Sequence, residues 1–358
     1  MAPIPTTMPA TGLMPGVHLP VRPDWLARHV EPVLEPDLPI VDPHHHLWNR
    51  AEDPYLLDDL LADTGSGHNI RATVYLECRS MYRAPGYCAQ GEDAFRPVGE
   101  TEFVNGVAAM STSGGYGQAQ LCAGIIGHVD LRIGATARAV LLAHIQAGGG
   151  RFRGIRHVSA YDEAVRSATV RPPQGMLGQA DFRAGFAQLA ALNLSFDAYM
   201  FHHQLPELTA LARAFPATQI VMNHIGGPIG IGPYAGRRDE IFATWSTAIR
   251  ELATCSNVFA KLGGMGMRVM GHPFGDQPEP PSSEQLAAAW GPYIETVIAA
   301  FGPARCMYES NFPVDKGMCS YPVVWNAFKR ISAGASGDEK ADLFRRTAAR
   351  VYRLDGLD

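Results

Sequence analysis

Eight short apolar runs alternate with amphipathic stretches between residues 39 and 312, and nearly every run ends on polar, titratable residues. The runs are PIVDPHH, IRATVYLEC, LCAGIIGHVDL, FRGIRHV, LSFDAYMF, QIVMNHIG, NVFAKLGG and RCMYESNF. Runs this short and this apolar read as strands. The stretches between them include GATARAVLLAHIQAGGG, FRAGFAQLAALN, QLPELTALARAFP and IFATWSTAIRELATC. Their apolar residues recur at three and four, as on a helix buried along one face. Gly148 to Gly150 and Pro216 stand where such helices should stop. Eight strands, most followed by a helix, predict an α/β chain folded as a (β/α)8 TIM-type barrel over residues 40–358. Residues 1–39 read as an extended, proline-rich N-terminal arm that wraps the surface or a partner subunit, or stays disordered. Such an arm is compatible with a homodimer.

In a barrel of this kind chemistry belongs at the carboxyl ends of the strands. Those ends read DPHHH, ECRSMYR, GHVD, RHVSAYD, FHHQ, NHIGG, KLGGMGMR and ESNFPVDK, a pattern that core filling alone does not produce. The net charge of −5 supplies no basic field for a nucleic acid. No apolar run is long enough to cross a bilayer, and the first forty residues lack the charged start and apolar core of a signal peptide. A cytoplasmic protein with a small-molecule substrate is therefore expected. The cysteines at 78, 88, 122, 255, 306 and 319 form no CxxC pair and read as free thiols. GGYG at 114–117 lacks the strand-to-helix context of a phosphate loop, and there is no nucleophile elbow.

Along a strand, residues two apart share a face, so His44 and His46 point together and His45 opposes them. Two converging imidazoles can bind a divalent metal or form a hydrogen-bonding pair for a substrate. Asp42 lies on their face and can orient them. His224 closes NHIGG, whose glycines allow close backbone approach. His202 or His203 reaches the mouth from strand five. With His202, an all-histidine set of His44, His46, His202 and His224 would suit zinc or manganese without a carboxylate. Arg79, Arg83, Arg156 and Arg268 follow or lie in strands two, four and seven, where guanidinium groups can grip a substrate carboxylate. His157 is read as facing the helices. Tyr75, Tyr82 and Tyr199 either line a pocket or pack. Glu77 and Lys261 can point into the barrel, and their mutual pairing is the expected structural role.

The VDPHHHLW start resembles the D-x-H-x-H-x-W signature of the amidohydrolase superfamily, in its amidohydrolase-2 and lactonase-type branch. The likeness runs on in order through GETEFVNGVA, CAGIIGHVDL, FRGIRH, QLPELTALARAFP, VMNHIGGP, NVFAKLGG and AARVYRL. The resemblance implies that His44, His46 and His224 face the substrate, together with an acidic residue after strand eight. It also implies either one divalent metal, zinc or manganese, or a metal-independent mechanism. Here the chain departs from the branch, which usually reads G-S-D-W-P. This chain has ESNFP, so Asn311 takes the aspartate position. An amide cannot accept a proton from water and ligates metals poorly. Glu309, on the same strand face, or Asp315 would supply the carboxylate.

The leading expectation is a lactonase-like hydrolase acting by water attack. His44, His46 and His224 would activate the carbonyl or hold a metal, Asn311 would orient the water, and Glu309 or a histidine would serve as base. Arg79, Arg156, Arg268 and Tyr75 would bind the substrate. A decarboxylase or hydratase on the same fold, and a non-catalytic ligand-binding barrel, are the alternatives.

Overall fold

Each of the eight apolar runs forms a strand, in a computed structural model that describes residues 18–87, 93–166 and 170–357. The strands are β1 (Ile40–His45), β2 (Ile70–Leu76), β3 (Gln120–Gly127), β4 (Phe152–Val158), β5 (Ser195–Tyr199), β6 (Ile220–Met222), β7 (Val258–Leu262) and β8 (Cys306–Tyr308). They pair in parallel in chain order within one sheet. A helix follows each, among them Val98–Thr112 after β2, Leu205–Ala214 after β5 and Ser283–Phe301 after β7. This is a (β/α)8 barrel, as expected from the alternation.

Closure between β8 and β1 rests on a few bonds at the carboxyl end. His45 bridges Phe312 in parallel. The amides of His46 and Asn311 donate to the carbonyls of Phe312 (2.8 Å) and His44 (3.0 Å). Asp42 completes the seam, accepting from the Ser310 amide (3.0 Å), the Ser310 hydroxyl (2.5 Å) and the Tyr321 hydroxyl (2.9 Å). It therefore ties β1 to the segment after β8, and its Oδ1 also accepts from the His44 backbone amide at 3.3 Å.

Alternation along the strands divides the core in two. Val41, Val74, Leu76, Ile126, Val221 and Met307 turn inward and pack with Ala348, Val351, Tyr352 and Leu354 of the carboxyl-terminal segment, which plugs the barrel. Tyr75 faces the surrounding helices, where its hydroxyl donates to Glu100 at 2.8 Å. The helix Ala137–Ala147 ends at Gly148 and the helix Leu205–Ala214 ends before Pro216, as their stop signals require.

Residues 18–38 lie across the barrel rather than away from it. Arg22 donates to the Gly275 carbonyl (2.6 Å) and the Trp25 indole to the Gln277 carbonyl (3.0 Å), both in the loop after β7. Further along, Glu31 accepts from the Ser283 amide and hydroxyl. Lys329 donates to the carbonyls of Leu34 and Glu35. The first 17 residues of the arm lie outside the described residues. Cys88 does too; the other five cysteines are free thiols.

Candidate active site

A cleft of about 1080 Å³, open solvent included, lies at the carboxyl ends of the strands. His46, His224, Asn311, Arg79, Arg156 and Tyr199 all line it, so the rule that chemistry sits at this end brings six singled-out residues to one place. Two of the strands stop short of where the sequence suggested. β6 ends at Met222, and His224 sits in a following turn with φ 51. β8 ends at Tyr308, and Asn311 has φ 55. Left-handed backbone at bulky residues costs energy and recurs at functional sites. Here it breaks the two-residue alternation, so Glu309 and Asn311 do not share a surface. Glu309 is fully buried beneath His224, while Asn311 lines the cleft.

His44 and His46 do converge, with their Nε2 atoms 3.2 Å apart. His46 Nδ1 donates to the Leu76 carbonyl at 2.8 Å, which leaves its Nε2 lone pair facing His44. Burial, and then Lys261 for His44 or Arg156 for His46, pushes both imidazoles well below their ordinary pKa. Both are therefore neutral at pH 7. His45 turns away, within 2.9 Å of the Thr73 hydroxyl.

Glu309 organises the floor of the site. Its Oε1 accepts from His224 twice, from the backbone amide at 3.1 Å and from Nδ1 at 2.7 Å. Burial pushes Glu309 upward, but His224 and Lys261 outweigh it and hold the carboxyl below its usual range. Lys261 is anchored in turn by Asp197 at 2.9 Å, which also accepts from Asn223 and Tyr352. Glu77 pairs with Arg156, at 2.9 Å from Nε, so the Glu77–Lys261 pairing expected from the sequence is replaced by two separate buried pairs. The Arg156 fork also places NH1 at 3.2 Å from His44 Nε2.

Asn311 donates from its amide to Asp315 Oδ1 at 2.8 Å, and Asp315 Oδ2 accepts from the Gly266 amide at 2.9 Å. Asp315 is buried, and burial pushes it up to about 8. The Asn311 carboxamide is thereby oriented by a carboxyl behind it, with its oxygen left for the cleft.

Several expectations fail on position. His202 is not in this cluster: its Nδ1 accepts from the Ile229 amide and its ring packs edge-on against Tyr234. His203 bonds the Tyr161 carbonyl. Arg268 is exposed and lies outside the cleft lining, and Tyr75 is held in the helix layer. Arg83 pairs with Glu102. His157 packs against Phe182 of the helix Ala180–Phe186, as expected, and also lines the cleft beside His128 and Asp130. Arg132 grips Asp130 with two bonds, and although burial raises Asp130, that grip holds it at about 2. His18, Trp48, Arg50 and Arg171 also line the cleft and were missed. Trp48 closes the histidine signature and Arg50 lies two residues past it, so these two carried a local signal.

His44, His224 and Glu309 each offer a ligand atom within 4.8 Å of the others, and all three are buried. Glu309 Oε2 lies 2.5 Å from His44 Nδ1, and its Oε1 lies 2.7 Å from His224 Nδ1. A buried carboxylate held between two imidazoles is a donor set that fits one divalent ion of the zinc or manganese kind. This set replaces His202 and His46 of the expected all-histidine set with a carboxylate.

The barrel, the histidines at its mouth and the buried carboxylate after β8 define a class, and sequence comparison agrees with it. Residues 41–354 match the family described as Amidohydrolase, and the chain belongs to that family. It is 32% identical over 340 residues to the uncharacterized protein y4mH of Sinorhizobium fredii, covering 89% of this chain and 99% of that protein. It is 27% identical over 331 residues to an L-fucono-1,5-lactonase of Burkholderia multivorans, covering 88% and 96%. An amidohydrolase from Burkholderia multivorans, solved with bound zinc, superposes with a TM-score of 0.65 at 25% identity over 88% of this chain and 99% of that one. Family and relatives together support a hydrolase on this barrel.

Proposed function

We propose that this chain hydrolyses a lactone, or a related cyclic ester or amide, that carries a carboxylate. The observation that carries the reading is the pair of hydrogen bonds from His224 to Glu309. A carboxylate that accepts the Nδ1 proton fixes the imidazole tautomer and leaves Nε2 as a base, the logic of acid–base dyads. His224 lines the cleft, so the water it deprotonates stands beside the substrate. The Asn311 oxygen accepts the water's second hydrogen and aims it. Arg156, already fixed by Glu77, stabilises the oxyanion that forms on the carbonyl. The proton held on His224 then passes to the departing ring oxygen or nitrogen. A divalent ion held by His44, His224 and Glu309 would occupy the His224 lone pair and, in place of the His224 base, would supply Lewis-acid polarisation and a water of lowered pKa.

Arg50, Arg79 and Arg171 support the carboxylate on the substrate. They line the cleft, and none has a carboxylate within ion-pair distance among the described residues, whereas Arg132 and Arg156 are matched by Asp130 and Glu77. The L-fucono-1,5-lactonase relatives support ring opening as the reaction.

The test is a panel of neutral and carboxylated five- and six-membered lactones, assayed by acid release with wild type and His224→Gln. Turnover of at least one carboxylated lactone, reduced about 10³-fold in the variant, is expected from loss of a general base. Full activity in His224→Gln, or none on any lactone in wild type, defeats the reading.

A further inference from the structure

One wall of the cleft comes from a segment that precedes the family match, which begins at residue 41. His18 lines the cleft together with His46, His224 and Asn311. Its Nδ1 is enclosed and has no hydrogen-bond partner among the described residues. An enclosed imidazole nitrogen without a partner forfeits a hydrogen bond it would make in water, so an occupant that restores the bond gains by that amount.

The residue is held there by its neighbours. Leu19 packs so closely on two glycines that a Cβ on Gly275 would come within 2.7 Å of its side chain. On Gly317 a Cβ would meet the backbone oxygen of Leu19. Arg22, Trp25 and Glu31 then bind the strap to the loop after β7 and to the helix that follows it. The strap thus crosses from the loop after β8 to the loop after β7, with His18 at its inner end.

Arg50 and His224 line the cleft with His18 and act on it electrostatically. The Arg50 guanidinium is stacked on Trp48, 3.6 Å from its ring centroid, and the Trp48 indole is fixed by the Asp53 carbonyl at 2.7 Å. Stacking orients the guanidinium without using its N–H groups. Two groups with open hydrogen-bonding capacity therefore line the same cleft.

We infer that His18 and Arg50 form a carboxylate-binding subsite, so that the N-terminal strap supplies a specificity-determining residue of the active site. Arg50 offers the paired N–H groups that match a carboxylate, and His18 adds one further donor. The inference rests on the carboxylated substrate proposed above, but its test does not require turnover.

Glutarate serves as the probe and 1,5-pentanediol as its neutral counterpart, each titrated calorimetrically into the full-length protein and its His18→Ala and His18→Asn variants. His18→Asn keeps an amide donor near the position of Nδ1. Wild type should bind glutarate and not the diol. His18→Ala should bind it at least tenfold more weakly, and His18→Asn should recover most of that loss. On a carboxylated lactone, His18→Ala should raise KM with kcat changed less than twofold. Equal glutarate affinity in wild type and His18→Ala, or no binding to wild type, overturns the subsite. Glutarate binding that depends on His18 in a protein that opens no lactone would overturn the hydrolytic reading and leave the subsite standing.

Discussion

Asn311→Asp restores the carboxylate that the family pattern places after strand eight, and it would enhance a lactonase if the new carboxylate could act as base. The structure predicts the opposite. The new carboxyl would stand about 2.8 Å from Asp315 Oδ1, where the amide now donates. Two carboxylates at that distance, with an effective dielectric near 20, repel by roughly 6 kcal/mol, or about 4 pK units. Asp315 is already raised to about 8 by burial. The variant pair would therefore hold one proton far into the alkaline range.

The sign follows from linkage. A carboxyl raised in the folded state keeps a proton that the unfolded chain releases, so stability falls as pH rises from the unfolded value towards the folded one. In wild type the loss due to Asp315 levels off above pH 8. In Asn311→Asp it continues at about 1.4 kcal/mol per pH unit, giving roughly 2–3 kcal/mol of extra loss by pH 10. Denaturant midpoints of wild type, Asn311→Asp and the swapped double variant Asn311→Asp/Asp315→Asn, measured from pH 6 to 10, read this out. The swap carries a single carboxyl and should follow wild type. At pH 7 the proton shared by the pair blocks its use as a base, so kcat/KM should not rise. Parallel stability curves up to pH 10, with a higher kcat/KM in Asn311→Asp, would refute the reasoning.

Arg156→Met strands Glu77 in the interior and should cost about 3–5 kcal/mol. Glu77→Leu/Arg156→Met should regain most of that stability in a denaturant titration while activity stays at least 100-fold down; recovered activity would remove Arg156 from the chemistry. Gly264→Ala would put a Cβ 2.2 Å from His224 Nδ1 at a φ of +67. It should lower kcat/KM about 10²-fold by displacing the imidazole, with a stability loss of about 1–2 kcal/mol by thermal melt; unaltered kinetics would show that His224 need not sit where it does. Elemental analysis of protein purified without added metal should find near one zinc or manganese ion per chain, depleted in Glu309→Gln and removed with activity by chelation. Metal-free, fully active protein would mean that His224 acts as the base without an ion and that His44 and His46 act as hydrogen-bonding groups.

The lesson for reading such a chain lies in which inferences were local. His44 and His46 converge because residues two apart share a strand face, and that geometry is written in the spacing. His224 and Arg156 were found because strand ends could be located from where the apolar runs stop. Glu77 and Lys261 were both placed inside the barrel, yet their partners proved to be Arg156 and Asp197. Which inward side chains meet depends on register and strand tilt, and neither leaves a mark in a single strand. Glu309 and Asn311 were misjudged because the strand ended at Tyr308 and positive φ at Asn311 turned the chain.

The amino-acid sequence by itself determined the layers and the functional end. Eight apolar runs separated by one-sided helices have few ways to bury their faces, and a closed parallel barrel satisfies all of them at once. Only the tertiary structure decided the composition of the site. Glu309 under His224, Asp315 behind Asn311 and His18 above the cleft are long-range or turn-dependent contacts. Each is fixed by bonds between segments distant in the chain or by one strained backbone angle, and such interactions carry no periodic signal along the chain.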